Sequence, residues 1–132
     1  MMKYLGIYLA VFLTMFLVDM LWLRVIATAW YEQGIGHLMT TSPNLVAAAI
    51  FYLLFPAGLM IFGVLPNEGG TLLKTALTGA LFGFFAYATY DLTNLATLKA
   101  WPVGITALDI AWGSLVSGLS TLAGKLAMDA LK

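Results

Sequence analysis

The sequence predicts an all-α membrane protein, a single domain over residues 1–132 with four transmembrane helices packed as an up-down bundle. Three observations carry that expectation. Of 132 residues, 62% are hydrophobic and 9% charged, against roughly 25% charged in an ordinary soluble domain. The apolar residues fall into four runs of about 20, the length a helix rising about 1.5 Å per residue needs to cross the hydrocarbon core. Finally, a soluble bundle would carry a charged stripe over about half of each helix, and none of the four runs has one.

The first span is expected from about Tyr4 to Trp30, with Asp19 and Arg24 as its charged residues. Its start, Met1-Met2-Lys3 before an apolar run, also has the form of a signal peptide with Ala27-Thr28-Ala29 as the cleavage site. Its length and its internal charges favour a span. Ser42 can cap a second helix whose first residue is Pro43, a position that suits proline's missing N–H. That places span two at about Leu45 to Leu65, with Pro56 unable to donate to the Tyr52 carbonyl and so predicting a kink. Pro66-Asn67-Glu68-Gly69-Gly70 reads as a tight turn. Span three follows from about Leu72 to Leu95, and span four from about Val103 to Leu122, after Trp101-Pro102. Tyr4, Trp30, Tyr31 and Trp101 fall at span ends, where amphipathic rings sit at headgroup level.

Composition also excludes function classes. Net charge is zero and the six basic residues are scattered, so the basic footprint of a nucleic-acid binder is missing. Without cysteine there is no thiol chemistry or thiolate metal site. A lone histidine, His37, in a loop, argues against haem or a His-based zinc site. No metal centre and no cofactor is expected. With the N-terminus inside, Lys3, Lys74, Lys125 and Lys132 are cytoplasmic and Arg24 and Lys99 external, so basic-residue asymmetry favours two cytoplasmic termini.

Three acids lie within the predicted spans. A charge at the bilayer centre costs about 2.5–3.5 kcal/mol on insertion scales, so Asp19, Asp91 and Asp109 need partners or a function. Connectivity brings them to one leaflet: Asp19 is in the later half of span one, Asp91 near the end of span three, and Asp109 near the start of span four. Each opens a similar phrase, Asp19-Met-Leu-Trp22, Asp91-Leu-Thr-Asn94 and Asp109-Ile-Ala-Trp112. Because i and i+3 share a helix face, Trp22, Asn94 and Trp112 are expected to donate to the acid of their own phrase. Helical periodicity draws stripes of Tyr8, Phe12, Met15, Asp19 and Trp22 on span one, and of Phe84, Tyr87, Asp91 and Asn94 on span three. On span four the stripe is Asp109, Gly113, Ser117, Ser120 and Gly124. Gly79 and Gly83 offer a close-packing GxxxG surface, available to a homodimer. The predicted pocket is therefore Asp19, Trp22, Tyr90, Asp91, Asn94, Asp109 and Trp112, open to one leaflet.

The run Tyr90-Asp91-Leu92-Thr93-Asn94-Leu95-Ala96-Thr97-Leu98-Lys99-Ala100-Trp101-Pro102, followed by Asp109-Ile110-Ala111-Trp112-Gly113, resembles a family of small bacterial predicted membrane proteins of unknown function. The resemblance covers essentially the whole chain, including the Asp19-to-Trp22 phrase. It implies a bacterial inner-membrane protein with four spans, and brings no substrate, reaction or cofactor.

Three function classes follow from the residues. The leading one is binding or transport of a proton, a cation or a cationic amphiphile, since aromatic rings beside carboxylates suit an organic cation through cation–π contact and charge. Oxygen ligands alone would suit hard cations such as Mg²⁺ or Ca²⁺. The second class is a lipid-modifying enzyme with paired aspartates as general acid and base. The third is an accessory subunit of a membrane complex. In every class membrane lipids are the surrounding partner. Topology is the first test: reporter fusions after Gly69 and at the C-terminus are expected to read as cytoplasmic and one after Gly36 as external, and the reverse pattern overturns the orientation.

Overall fold

In lipid the backbone must satisfy its own N–H and C=O groups, so each apolar run closes into a helix. The computed structural model describes all residues from Met1 to Lys132. Helix α1 spans Met2–Leu21 and runs into a π-helical turn, Trp22–Ile26; α2 is Thr28–Ile35; α3 is Leu45–Leu59, continued by a π-helical turn, Met60–Val64; α4 is Leu72–Thr97; and α5 is Val103–Ala130. There is no strand. Four helical segments are long and apolar enough to cross a membrane: Met2–Ile26, Leu45–Asn67, Leu72–Thr97 and Val103–Ala130. Their exteriors are ringed by exposed Leu, Ile, Val and Phe, which is the surface a lipid-embedded bundle presents.

Three helix ends differ from the sequence expectation, the simplest being α5, which runs to Ala130 rather than ending near Leu122. The first run does not continue to Trp30. The Trp22 carbonyl accepts from the Ala27 N–H at 2.7 Å, an i to i+5 bond, and Ala27 then leaves the helical region at φ −107°, ψ 4°. The chain restarts as α2, whose buried Tyr31 packs with Ala27, Trp101 and Ile105 at the start of α5. At α3 the cap is Asn44, whose side-chain oxygen accepts from Ala47 N at 3.0 Å, so Pro43 precedes the cap and Ser42 lies outside it. Pro56 is inside α3, and the Tyr8 hydroxyl donates to the neighbouring Leu53 carbonyl at 2.8 Å.

The α4–α5 pair is the most closely packed part of the bundle, because small residues on each helix face larger ones on the other. A Cβ at Gly79 would meet Thr121, one at Gly83 would meet Ser117 and the Gly113 carbonyl, and one at Gly113 would meet the Tyr87 ring. Residues 79 and 83 facing 121 and 117 define an antiparallel crossing. Gly79 and Gly83 are therefore occupied inside the chain and are not a free dimerisation surface. The α4–α5 turn uses Ala100 at φ 59°, a left-handed conformation costly for a residue with a Cβ. Trp101 anchors the turn, its indole N–H donating to Thr106 Oγ1 at 3.1 Å.

The core line of α1 is Ile7, Val11, Met15 and Asp19, one residue in every four. Tyr8, Phe12 and Trp22 of the predicted stripe flank that line and are half-buried, and Phe84 of the predicted α4 stripe is exposed. Ile7, Val11 and Met15 pack with Leu59, Val64, Val116 and Met128. Apolar packing thus fills the half nearer the termini. There Lys125, 1% exposed, is neutralised by Asp129 at 2.9 Å.

Replacing Gly79 or Gly83 with leucine is expected to force α4 and α5 apart and cost on the order of 1–3 kcal/mol or more, the range for overpacking a filled interior. Gly104→Leu, with nothing within 4 Å of its added Cβ, is expected to leave stability unchanged. Unfolding midpoints in mixed micelles check both.

Candidate functional site

A carboxylate accepts hydrogen bonds only, so an acid buried in the bundle must be met by donors from the protein around it. Asp19 is 4% exposed. It accepts from the Trp112 indole N–H of α5 at 2.8 Å and from the Tyr52 hydroxyl of α3. Each of its two oxygens takes one of these bonds, tying three spans together. Trp112 stacks face to face on Trp22, ring centroids 4.4 Å apart and planes within 5°. That contact fixes the indole plane and aims its N–H at Asp19.

Asp109 takes its donor from α2. The Tyr31 hydroxyl donates to it at 2.7 Å and itself accepts from the Trp22 indole N–H at 3.2 Å. The break at Ala27 is what returns Tyr31 over the bundle to make this bond. Burial, reinforced by the acceptor Asp109, holds the Tyr31 phenol above its ordinary pKa and outweighs the Trp22 donor, which favours phenolate.

Asp91 is fully buried, and neither of its oxygens has a hydrogen-bond partner. The Asp109 carboxyl borders the same cavity as Asp91. No ion pair relieves any of the three acids. The ion pairs of the structure are Lys3–Glu68, Lys125–Asp129 and Lys132–Asp129, all toward the end that carries the termini, while Arg24 and Lys99 join none.

Two cavities meet at this cluster. The first, about 460 Å³, is walled by Phe51, Tyr52, Phe55, Tyr87, Tyr90 and Trp112, with Asp19 and Asp109 as its charged groups. The second, about 720 Å³, contains Asp91 and is bordered by Tyr31, Trp101, Arg24 and Glu32. Asp109, Tyr90 and Leu23 belong to both. No group of three or more His, Cys, Asp or Glu stands together so as to hold a metal ion.

Of the predicted pocket residues, Asp19, Tyr90, Asp109 and Trp112 line the first cavity, and Tyr90, Asp91 and Asp109 the second. Trp22 lies behind Trp112, and Asn94 lines neither cavity. The donor pairing within each phrase is overturned: Trp112 serves Asp19, Trp22 serves Tyr31, and Asn94 makes no bond to Asp91. Neighbouring helices supply donors at better depth and angle than a residue three positions along the same helix. Tyr31, Tyr52, Phe51 and Phe55 were not read from the sequence as site residues. The signal available was an aromatic run on α3, Phe51, Tyr52 and Phe55, ahead of Pro56.

An all-helical bundle with four membrane-crossing segments and a buried carboxyl cluster defines a multi-pass integral membrane protein. The chain belongs to the family described as Predicted membrane protein (DUF2177), which matches it over residues 4–126. Neither a curated protein nor a solved structure matches it.

Trp112→Phe removes one Asp19 donor and keeps an aromatic ring. It is expected to cost about 1–3 kcal/mol, the penalty for leaving a buried acceptor short of a partner, read as a lowered unfolding midpoint. Tyr31 has a raised folded-state pKa, so its contribution to stability is complete below the unfolded tyrosine value of about 10 and declines as pH rises further. The alkaline loss of stability is expected to lessen in Tyr31→Phe, as followed by unfolding at graded pH.

Proposed function

We propose that the first cavity binds an amphiphilic organic cation drawn from the membrane, as part of a transport or sequestration function. The observation that carries this reading is the placement of two carboxyls, Asp19 and Asp109, in the wall of a cavity otherwise built from aromatic rings. Its volume of about 460 Å³ lies in the range of roughly 300–1,000 Å³ found for small-molecule sites. A cation there gains carboxylate charge and the faces of Tyr, Phe and Trp together. A hard metal ion is the weaker fit, since it asks for six or more oxygens, whereas this wall is mainly carbon. A lipid-modifying activity has less support, because the carboxyls that would act as its general acid and base, Asp19 and Asp109, are already engaged by the Tyr52 and Tyr31 hydroxyls.

The exposed apolar exterior supports uptake from lipid. In the proposed setting the protein lies in a bacterial inner membrane with both termini cytoplasmic, and the pocket faces the opposite leaflet.

The test is binding of tetraphenylphosphonium to the protein in dodecyl maltoside, read by equilibrium dialysis and by quenching of tryptophan fluorescence at Trp112. Asp19→Asn and Asp109→Asn are each expected to weaken binding tenfold or more, about 1.4 kcal/mol. Glu68→Gln, at an exposed residue paired with Lys3 near the termini, should leave it unchanged. If the parent binds no more tightly than the Asp19→Asn, Asp109→Asn double variant, the reading fails.

A further inference from the structure

The first cavity does not account for Asp91, a fully buried acid on α4 whose two oxygens have no partner in the protein. Burying an unpartnered carboxylate is costly, and placing it beside a second carboxyl adds repulsion. A single proton shared with Asp109, which lines the same cavity as Asp91, removes both penalties. Asp109 also lines the aromatic cavity. The same carboxyl therefore faces the proposed cation on one side and Asp91 on the other.

We propose that Asp91 and Asp109 hold one exchangeable proton that a cation entering the aromatic cavity displaces, making the site a cation/proton exchanger. The proposal rests on the cation-binding reading above and specifies its coupling ion. In the empty site Asp91 and Asp109 share one proton, so the pair carries −1. When a monovalent cation enters, the O–H bond of the pair breaks, both acids are ionised, and pair and cation together again carry −1. The proton leaves by the second cavity, of about 720 Å³, in which Asp91 and Asp109 both lie. Keeping the charge constant matters where no counter-ions can follow, because any uncompensated charge is poorly solvated at that depth.

Other titratable or charged groups face the pair from every packed element. They are Asp19 and Arg24 from span one, Tyr31 and Glu32 from α2, Tyr52 from α3, and Tyr87 and Tyr90 from α4. Tyr31 donates to Asp109 and Tyr52 to Asp19, so neither accepts the displaced proton without breaking its bond. Arg24 and Glu32 are exposed and border the second cavity, where they act on the proton as it leaves. Ser117 Oγ, also buried and unpartnered, lies deeper in the α4–α5 contact and away from both cavities.

Proton release on binding tests the exchange. Addition of tetraphenylphosphonium to the parent in lightly buffered dodecyl maltoside at neutral pH, followed with an indicator dye, is expected to release about one proton per cation bound. Asp91→Asn is expected to release none per cation bound, whatever its affinity, because its amide donates to an Asp109 already ionised. Binding by the parent without proton release overturns the exchange and leaves the cation site standing. Absence of binding defeats both.

The parent also carries a test that needs no variant. Dicyclohexylcarbodiimide, which attacks protonated carboxyls in apolar surroundings, is expected to label Asp91 or Asp109, as mapped by mass spectrometry, and tetraphenylphosphonium is expected to suppress that labelling. No labelling of either acid, or labelling unaffected by saturating cation, overturns the shared proton or its displacement respectively.

Discussion

The bundle depends on the need to give Asp19 donors from within the protein. Asp19 is 4% exposed, and it obtains its two hydrogen bonds from Tyr52 on α3 and Trp112 on α5. These bonds fix the rotation of α1 against two other helices at once. The stacking of Trp22 on Trp112 and the Trp22–Tyr31–Asp109 chain follow from the same placement. Interhelical hydrogen bonds in membranes are individually weak, about 0.6 kcal/mol on average. Their effect here is orientation, with packing supplying the bulk of the cohesion.

That packing is uneven, and the unevenness produces the cavities. Along α4 and α5, glycines let the helices approach until Thr121 and Ser117 sit over Gly79 and Gly83. Toward the other end, beyond the Tyr87 ring seated on Gly113, the same two helices carry Tyr90, Asp91, Asp109 and Trp112, which are too large or too polar for such contact. The π-helical turn of span one and the return of α2 cap this end without filling it. Interhelical packing thus closes one half of the bundle and leaves the other half hollow around its acids.

Some of the site was legible in the residues. Asp19, Asp91 and Asp109 stood out because acids are expensive in apolar spans, and chain connectivity alone sent them to one end. Their donors were not legible. The i, i+3 phrases suggested that each acid is served by its own helix, whereas the donors come across helix interfaces, from Tyr52, Trp112 and Tyr31. Likewise periodicity placed Phe84 and Trp22 on interior stripes, although Phe84 faces outward. In a membrane helix both faces are apolar, so the contrast that marks the buried face of a soluble helix is nearly absent.

The sequence by itself determined the class of protein, the number of membrane-length helices and the end of the bundle that holds the acids. Those depend on run length, hydropathy and the order of segments along the chain, all of which are local or topological quantities. Only the tertiary structure decided which acid receives which donor, that Asp109 belongs to both cavities, and that Gly79 and Gly83 are spent on α5. Those outcomes depend on the rotation of each helix about its own axis. A rotation of one residue's turn, about 100° in a helix of 3.6 residues per turn, exchanges one set of partners for another while leaving every span where the sequence put it.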